Sequence, residues 1–175
     1  MPPFVSLVGL FVDPDPAQVG AVLAAVALDL LQFHGAEPPE FCRSFGRPYL
    51  KAIAVRPEDG EAGLLECASR YADAAGWLFD APPADGLPGG TGRTFDWSAL
   101  SPGFSQRLAR PMLLSGGLHP GNVGAAIRAV RPWAVDVSSG VEAAGPDGRA
   151  LKGFKDPLRI AAFIEEVRNA DVRSA

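Results

Sequence analysis

Short apolar runs alternate with stretches in which apolar side chains recur every three or four residues, and this alternation continues along the chain. Strand-length runs are predicted at Phe4–Val12, Leu28–His34, Tyr49–Val55, Gly76–Asp80, Pro111–Gly116 and Ala134–Ser138. Several are almost continuously apolar (VGLFV, YLKAIAV, WLFD, PMLLS, AVDVS), the pattern of parallel strands covered on both faces. Helical spacing fills the intervals. Val19, Val22, Leu23 and Val26 follow Pro16, and Leu64, Leu65, Ala68 and Tyr71 follow Pro57. Asn122 stands as an N-cap before Val123–Val130, and Asp156 precedes a last helix with Leu158, Ala161, Ile164 and Val167 on one face. Strand–helix alternation of this kind implies an α/β fold with right-handed crossovers and a parallel sheet.

Two parallel architectures fit this pattern, an open doubly wound sheet and a (β/α)₈ barrel of the TIM type. The first often carries a G-x-G-x-x-G turn after its first strand, and that turn is absent. The second places its chemistry at the C-terminal strand ends and holds phosphate after its last two strands. Here the last two predicted strands end in Ser115-Gly116-Gly117 and Ser138-Ser139-Gly140, which favours the barrel. About six of its eight βα units are expected, in one partial barrel domain over residues 1–175.

Composition narrows the function classes. The net charge is −4, with 16 basic and 20 acidic residues intermixed, so the basic stripe of a nucleic-acid binder is missing. No run approaches the ~20 apolar residues of a membrane helix. No basic segment precedes an apolar one in the manner of a signal peptide, and a cytoplasmic location without membrane contact is expected. The two cysteines, Cys42 and Cys67, lack metal-type spacing and read as free thiols of a reducing compartment.

The candidate chemistry gathers at predicted strand ends. Gly116 and Gly117 let backbone N–H groups approach an anion, and Ser138, Ser139 and Gly140 add hydroxyls and a second accessible backbone. Two such turns on consecutive strands could cradle one phosphate, although either alone reads as an ordinary tight turn. Asp80 ends a buried strand, and Asp136 lies in Val135-Asp136-Val137. A carboxylate in such surroundings needs a partner or a purpose, so each is a candidate for chemistry or for structural hydrogen bonding. His34 ends the run Leu30-Leu31-Gln32-Phe33 at the same predicted rim. The stretch Pro88–Trp97 is glycine-rich but lacks the Lys-Ser/Thr of a P-loop, so it reads as a lid over a barrel mouth or as a surface connection. Arg93 within it reads as solvated, and His119 has no assigned role.

Five blocks taken together resemble one family. They are Leu31-Gln32-Phe33-His34-Gly35, Phe79-Asp80, Gly89–Trp97, Leu114-Ser115-Gly116-Gly117-Leu118 and Val135–Glu142, in order and spacing. The chain is similar over nearly its whole length to phosphoribosylanthranilate isomerase, a (β/α)₈ barrel of tryptophan biosynthesis. The resemblance implies an Amadori rearrangement of N-(5-phosphoribosyl)anthranilate to 1-(2-carboxyphenylamino)-1-deoxyribulose 5-phosphate, without metal or cofactor. It makes Asp80 the general acid that opens the furanose. It gives the phosphate to Gly116, Gly117, Ser138, Ser139 and Gly140, and it places His34, Asp136 and Gly90 around the substrate.

The family's general base is a cysteine in a Cys-Gly-Ile-Thr-type turn that ends its first strand, and no such block occurs here. The resemblance sets Phe4–Val12 at the family's third strand, so the first two units, with the base and an anthranilate-binding arginine, are expected to be missing. A misassigned start or a fragment would account for this. Cys42 and Cys67 fall on predicted helices and are not replacements. Rival readings are a catalytically silent sugar-phosphate-binding fragment and another phosphate-binding barrel such as indole-glycerol-phosphate synthase or an epimerase. Unpaired barrel edges are expected to promote self-association.

Overall fold

The computed structural model describes residues 4–82, 94–100, 103–145 and 150–172. Six strands form one parallel sheet in sequential order: β1 (Val8–Phe11), β2 (Leu30–Phe33), β3 (Tyr49–Ala54), β4 (Gly76–Asp80), β5 (Met112–Leu114) and β6 (Ala134–Val135). Helices α1 (Pro16–Ala25), α2 (Pro39–Arg43), α3 (Gly60–Arg70) and α4 (Val123–Val130) fall between strands, and α5 (Pro157–Val172) follows the last. An antiparallel hairpin of β7 (Glu142–Ala144) and β8 (Ala150–Lys155) intervenes between β6 and α5. Sequential parallel order is that of a barrel wall, and it excludes the reversed strand order of a doubly wound sheet.

Strand alternation assigns the two faces of this wall. Phe33 points to the helical side, where its ring centroid lies 5.8–6.1 Å from those of Phe11, Phe41, Phe45 and Tyr49. Phe79 does likewise against Phe104. Gln32, His34, Leu78 and Asp80, of opposite parity, therefore face the interior and its rim. Each strand's register with the next is unbroken from Val8↔Leu30 to Leu114↔Val135. All six strands run the same way, so all their C-terminal ends meet at one rim.

Several expected boundaries shift for physical reasons. The first strand begins at Val8 rather than Phe4, because pairing starts at Leu30, and Phe4 has φ +69°. The sixth shrinks to Ala134–Val135, since only β5 pairs with it. On α5 the expected apolar face is overturned in part: Val167 packs against the core, but Leu158 and Ile164 are exposed, while Phe163 and Ala170 are buried. Helix α1 starts with a capping box, Asp15 accepting from the Gln18 amide and Gln18 accepting from the Asp15 amide. Asp156 caps α5 as expected, accepting the Leu158 N–H at 2.8 Å. Asn122 precedes α4 but makes no side-chain cap bond to it. Its side chain accepts the His119 N–H at 2.7 Å and donates to the Gly117 carbonyl at 3.0 Å. No helix among the described residues is long and apolar enough to cross a membrane.

Candidate active site

Two strands apart, His34 and Asp80 meet over the rim. His34 follows β2 and Asp80 ends β4, yet His34 Nε2 lies 3.0 Å from Asp80 Oδ2. Strands β2 and β4 stand roughly 10 Å apart, two interstrand spacings. What lets the side chains meet is the strand between them. The register places Leu50 beside Gln32, Ala52 beside Leu78 and Ala54 beside Asp80, so β3 presents only methyl groups at the level of the pair. Ala52 and Ala54, with His34, Gly35, Asp80 and Ala81, line a cleft of about 720 Å³.

Both atoms of the contact are held from behind. Asp80 Oδ1 accepts the N–H of Ala81 at 2.7 Å. Gln32 is buried, and its Nε2 lies 3.1 Å from His34 Nδ1. The adjoining turn comes close: a Cβ on Gly116 would lie 2.7 Å from the Ala81 nitrogen and 3.0 Å from Asp80 Oδ1. Gly116 has φ +85° and Gly117 φ +60°, so both take the left-handed backbone that glycine adopts without strain.

The second turn packs on the first. A Cβ on Gly140 would collide with the carbonyl oxygen of Leu118. Gly140 thus stands directly against the backbone of Leu118 and His119, just past the Gly116-Gly117 turn. Lys155, at the end of β8, braces this turn by donating to the Ser138 carbonyl at 2.8 Å and lies 3.2 Å from Glu142 Oε1. Asp136, leaving β6, accepts the Ser115 hydroxyl at 3.0 Å. Burial raises its carboxyl pKa above the ordinary value of 3.8; the Ser115 bond opposes the shift, and the charge of Asp80 adds to it. His34, Asp80, Asp136, Gly116, Gly117, Ser138, Ser139 and Gly140 therefore share one rim. Gly90 and Arg93, with most of the glycine-rich stretch, lie outside the described residues.

Cys42 does not reach this cleft, whereas Cys67 lines it together with His34 and Asp80. Cys42 is buried in α2 and donates weakly to the Glu37 carbonyl at 3.8 Å; burial pushes its pKa up to about 11. Cys67 sits within α3, its pKa also raised by burial. Among the described residues no three His, Cys, Asp or Glu side chains are grouped to hold a metal.

Sequence reasoning missed a buried ion pair just behind the rim. Lys51 Nζ on β3 lies 2.7 Å from Glu37 Oε2 and donates to the carbonyls of Phe33 and Gly35 at 3.3 and 2.5 Å. Glu37 also accepts the N–H groups of Asp13 and Gly35 at 2.8 and 3.0 Å. The pair fixes the loop that carries His34 out of β2. Its signal was legible in part, since a lysine inside Tyr49-Leu50-Lys51-Ala52-Ile53 needs a buried partner.

Comparison with known proteins agrees with this geometry. Residues 2–166 match the family model for N-(5'phosphoribosyl)anthranilate (PRA) isomerase. The N-(5'-phosphoribosyl)anthranilate isomerase of Thiobacillus denitrificans is 54% identical over 168 residues, which is 96% of this chain and 75% of that protein. The crystal structure of the Thermotoga maritima phosphoribosyl anthranilate isomerase superposes with a TM-score of 0.77 at 38% identity, covering 97% of this chain and 76% of that one. A phosphoribosyl anthranilate isomerase in complex with reduced 1-(o-carboxyphenylamino)-1-deoxyribulose 5-phosphate superposes with a TM-score of 0.74 at 36% identity, covering 97% and 74%. With six parallel strands in barrel order and a sequence match along nearly its whole length, the chain belongs to the N-(5'-phosphoribosyl)anthranilate isomerase family.

Proposed function

We propose that this chain acts as an isomerase on N-(5'-phosphoribosyl)anthranilate, turning the aldosylamine into the aminoketose required for tryptophan biosynthesis. The observation that carries the reading is Asp80, set at the rim with His34 on one side and the Gly116 turn against the other. An Amadori rearrangement begins when an acid protonates the furanose oxygen, so that the C1–O bond breaks and a Schiff base forms. Loss of the C2 proton then gives an enolamine, which tautomerises to the ketone. One proton enters and one leaves, and the atoms balance without an oxidant.

Asp80 is the acid in this scheme. The turns at Gly116-Gly117 and Ser138-Ser139-Gly140 hold the phosphate through backbone N–H groups, and Asp136 and His34 border the sugar. The C2 proton needs a separate acceptor. Cys42 is buried in α2, Cys67 borders the cleft from α3 with burial raising its pKa, and both ring nitrogens of His34 are engaged as the pair stands. Replacing Asp80 with Asn should lower turnover by about 10²–10⁴-fold, the usual cost of a lost general acid. The test is growth of a tryptophan auxotroph that lacks the isomerase, carrying the gene with or without Asp80→Asn. Joined to the first two βα units of a family relative, which carry the cysteine base, the chain is expected to support growth and its Asp80→Asn form is not; equal growth of the two removes Asp80 from the mechanism.

The open sheet edge points to a second copy of this chain as a partner. Val8 and Leu10 share the interior face of β1, yet they are 40% and 58% exposed, and among the described residues β1 pairs with β2 alone. Burying such an edge against its counterpart in another copy would cover both. Sedimentation should show a dimer that Leu10→Lys dissociates; a monomer at high concentration contradicts it.

A further inference from the structure

We propose that Gln32 is a positioning residue that sets the tautomer of His34, so that the Nε2–H group, and not a ring lone pair, faces Asp80. Gln32 and His34 are two residues apart along β2, and alternation puts both on the interior face. Gln32 is 8% exposed, so water competes poorly for its amide or for the ring nitrogen it meets. Its Nε2 lies 3.1 Å from His34 Nδ1, and His34 Nε2 lies 3.0 Å from Asp80 Oδ2.

A neutral imidazole has one N–H and one lone pair, so the two contacts cannot be chosen independently. An amide NH₂ is a donor only, and it needs a bare Nδ1. The ring proton then sits on Nε2, where a carboxylate oxygen accepts it. Against an ionised Asp80 the other tautomer fails at both ends: Nδ1–H would meet an N–H donor, and the Nε2 lone pair would meet a carboxylate. Lys51, the cation nearest in sequence on β3, has the opposite parity and is taken by Glu37, so it does not compete for the ring. Gln32 is not among the residues that line the cleft. Its effect is to aim the histidine, which in turn fixes Asp80 Oδ2. The mechanistic meaning rests on the reading of Asp80 as the acid, but the tautomer does not.

The chain has two histidines, so long-range ¹H–¹⁵N spectra of uniformly labelled protein resolve His34 from His119 with one substitution for assignment. Near neutral pH, the wild type is expected to show His34 protonated at Nε2 and bare at Nδ1. Gln32→Met removes the donor while keeping the length, and a rise in the Nδ1–H form is expected. Gln32→Glu presents only acceptors, so Nδ1 should also take a proton and the ring should become doubly protonated between two carboxylates. A wild-type ring protonated at Nδ1, or an Nε2–H form undiminished in both variants, overturns the proposal. Should Gln32→Met fail to give a folded spectrum, Gln32→Glu decides alone, because it keeps both size and polarity. These spectra are taken on the free protein without turnover. A wrong tautomer and a dispensable Asp80 are therefore separate outcomes of separate experiments.

Discussion

Asp136 shows how one residue's surroundings decide its chemistry. Removal from water disfavours its ionised form, the Ser115 hydroxyl supports that form, and the neighbouring charge of Asp80 opposes it again. The native state therefore binds a proton at Asp136 more tightly than the unfolded chain does. A raised carboxyl of this kind contributes stability below its unfolded value of 3.8, and that contribution is lost as pH rises through the folded value. Asp136→Asn should remove the effect. Urea unfolding between about pH 4 and about pH 7 should show the stability difference moving in the variant's favour as pH rises. Parallel curves would mean that Asp136 is not raised. Asp80 and His34 were legible as single residues, because each ends an apolar run at a strand terminus. Their pairing was not, since they lie 46 positions apart with strand β3 between them, and proximity of that kind follows only from register.

That register makes β3 the element on which the site depends. Its interior face narrows to Ala52 and Ala54 where His34 crosses to Asp80, while its outer face carries Lys51 into the loop after β2. Ala52→Leu should push a branched side chain into the crossing. A displacement of the pair by about 1 Å would cost on the order of 100-fold in activity. The site lines an open cleft, so the variant should unfold near the wild-type temperature. Full activity at unchanged stability would show that the crossing is not needed. Elements differed in how far the sequence announced them. Strand β4, Gly76–Asp80, was read with its observed ends, because Gly-Trp-Leu-Phe-Asp is buried throughout and has a partner on each side. Strands β1 and β6 have one partner each, so hydrogen bonding ends before apolar character does. The β7–β8 hairpin escaped notice because every residue of Ala150–Lys155 is exposed, which leaves no apolar pattern to read. Helix α5 was placed well but faced wrongly, since helical spacing reports a period and leaves open which neighbour the face will meet.

At the scale of the whole molecule, parallel order does the organising. Six strands that run the same way deliver their C-terminal ends to one rim, and the chain needs no long-range signal in its sequence to bring those ends together. The His34–Asp80 pair comes from β2 and β4, the turns proposed to hold the phosphate follow β5 and β6, and Gly116 and Gly140 are two positions where absence of a side chain lets these parts touch. The central claim is that one phosphorylated ligand spans both parts. It is tested most directly by calorimetric titration of the reduced product analogue, 1-(o-carboxyphenylamino)-1-deoxyribulose 5-phosphate, into three purified proteins: wild type, Asp80→Asn and Gly117→Asp. The account predicts one analogue per chain. Affinity should be retained in Asp80→Asn, whose loss is in chemistry, and should fall roughly tenfold or more in Gly117→Asp, where a carboxylate meets the phosphate and a charge-assisted hydrogen bond is lost. Equal affinity of Gly117→Asp and wild type would contradict it.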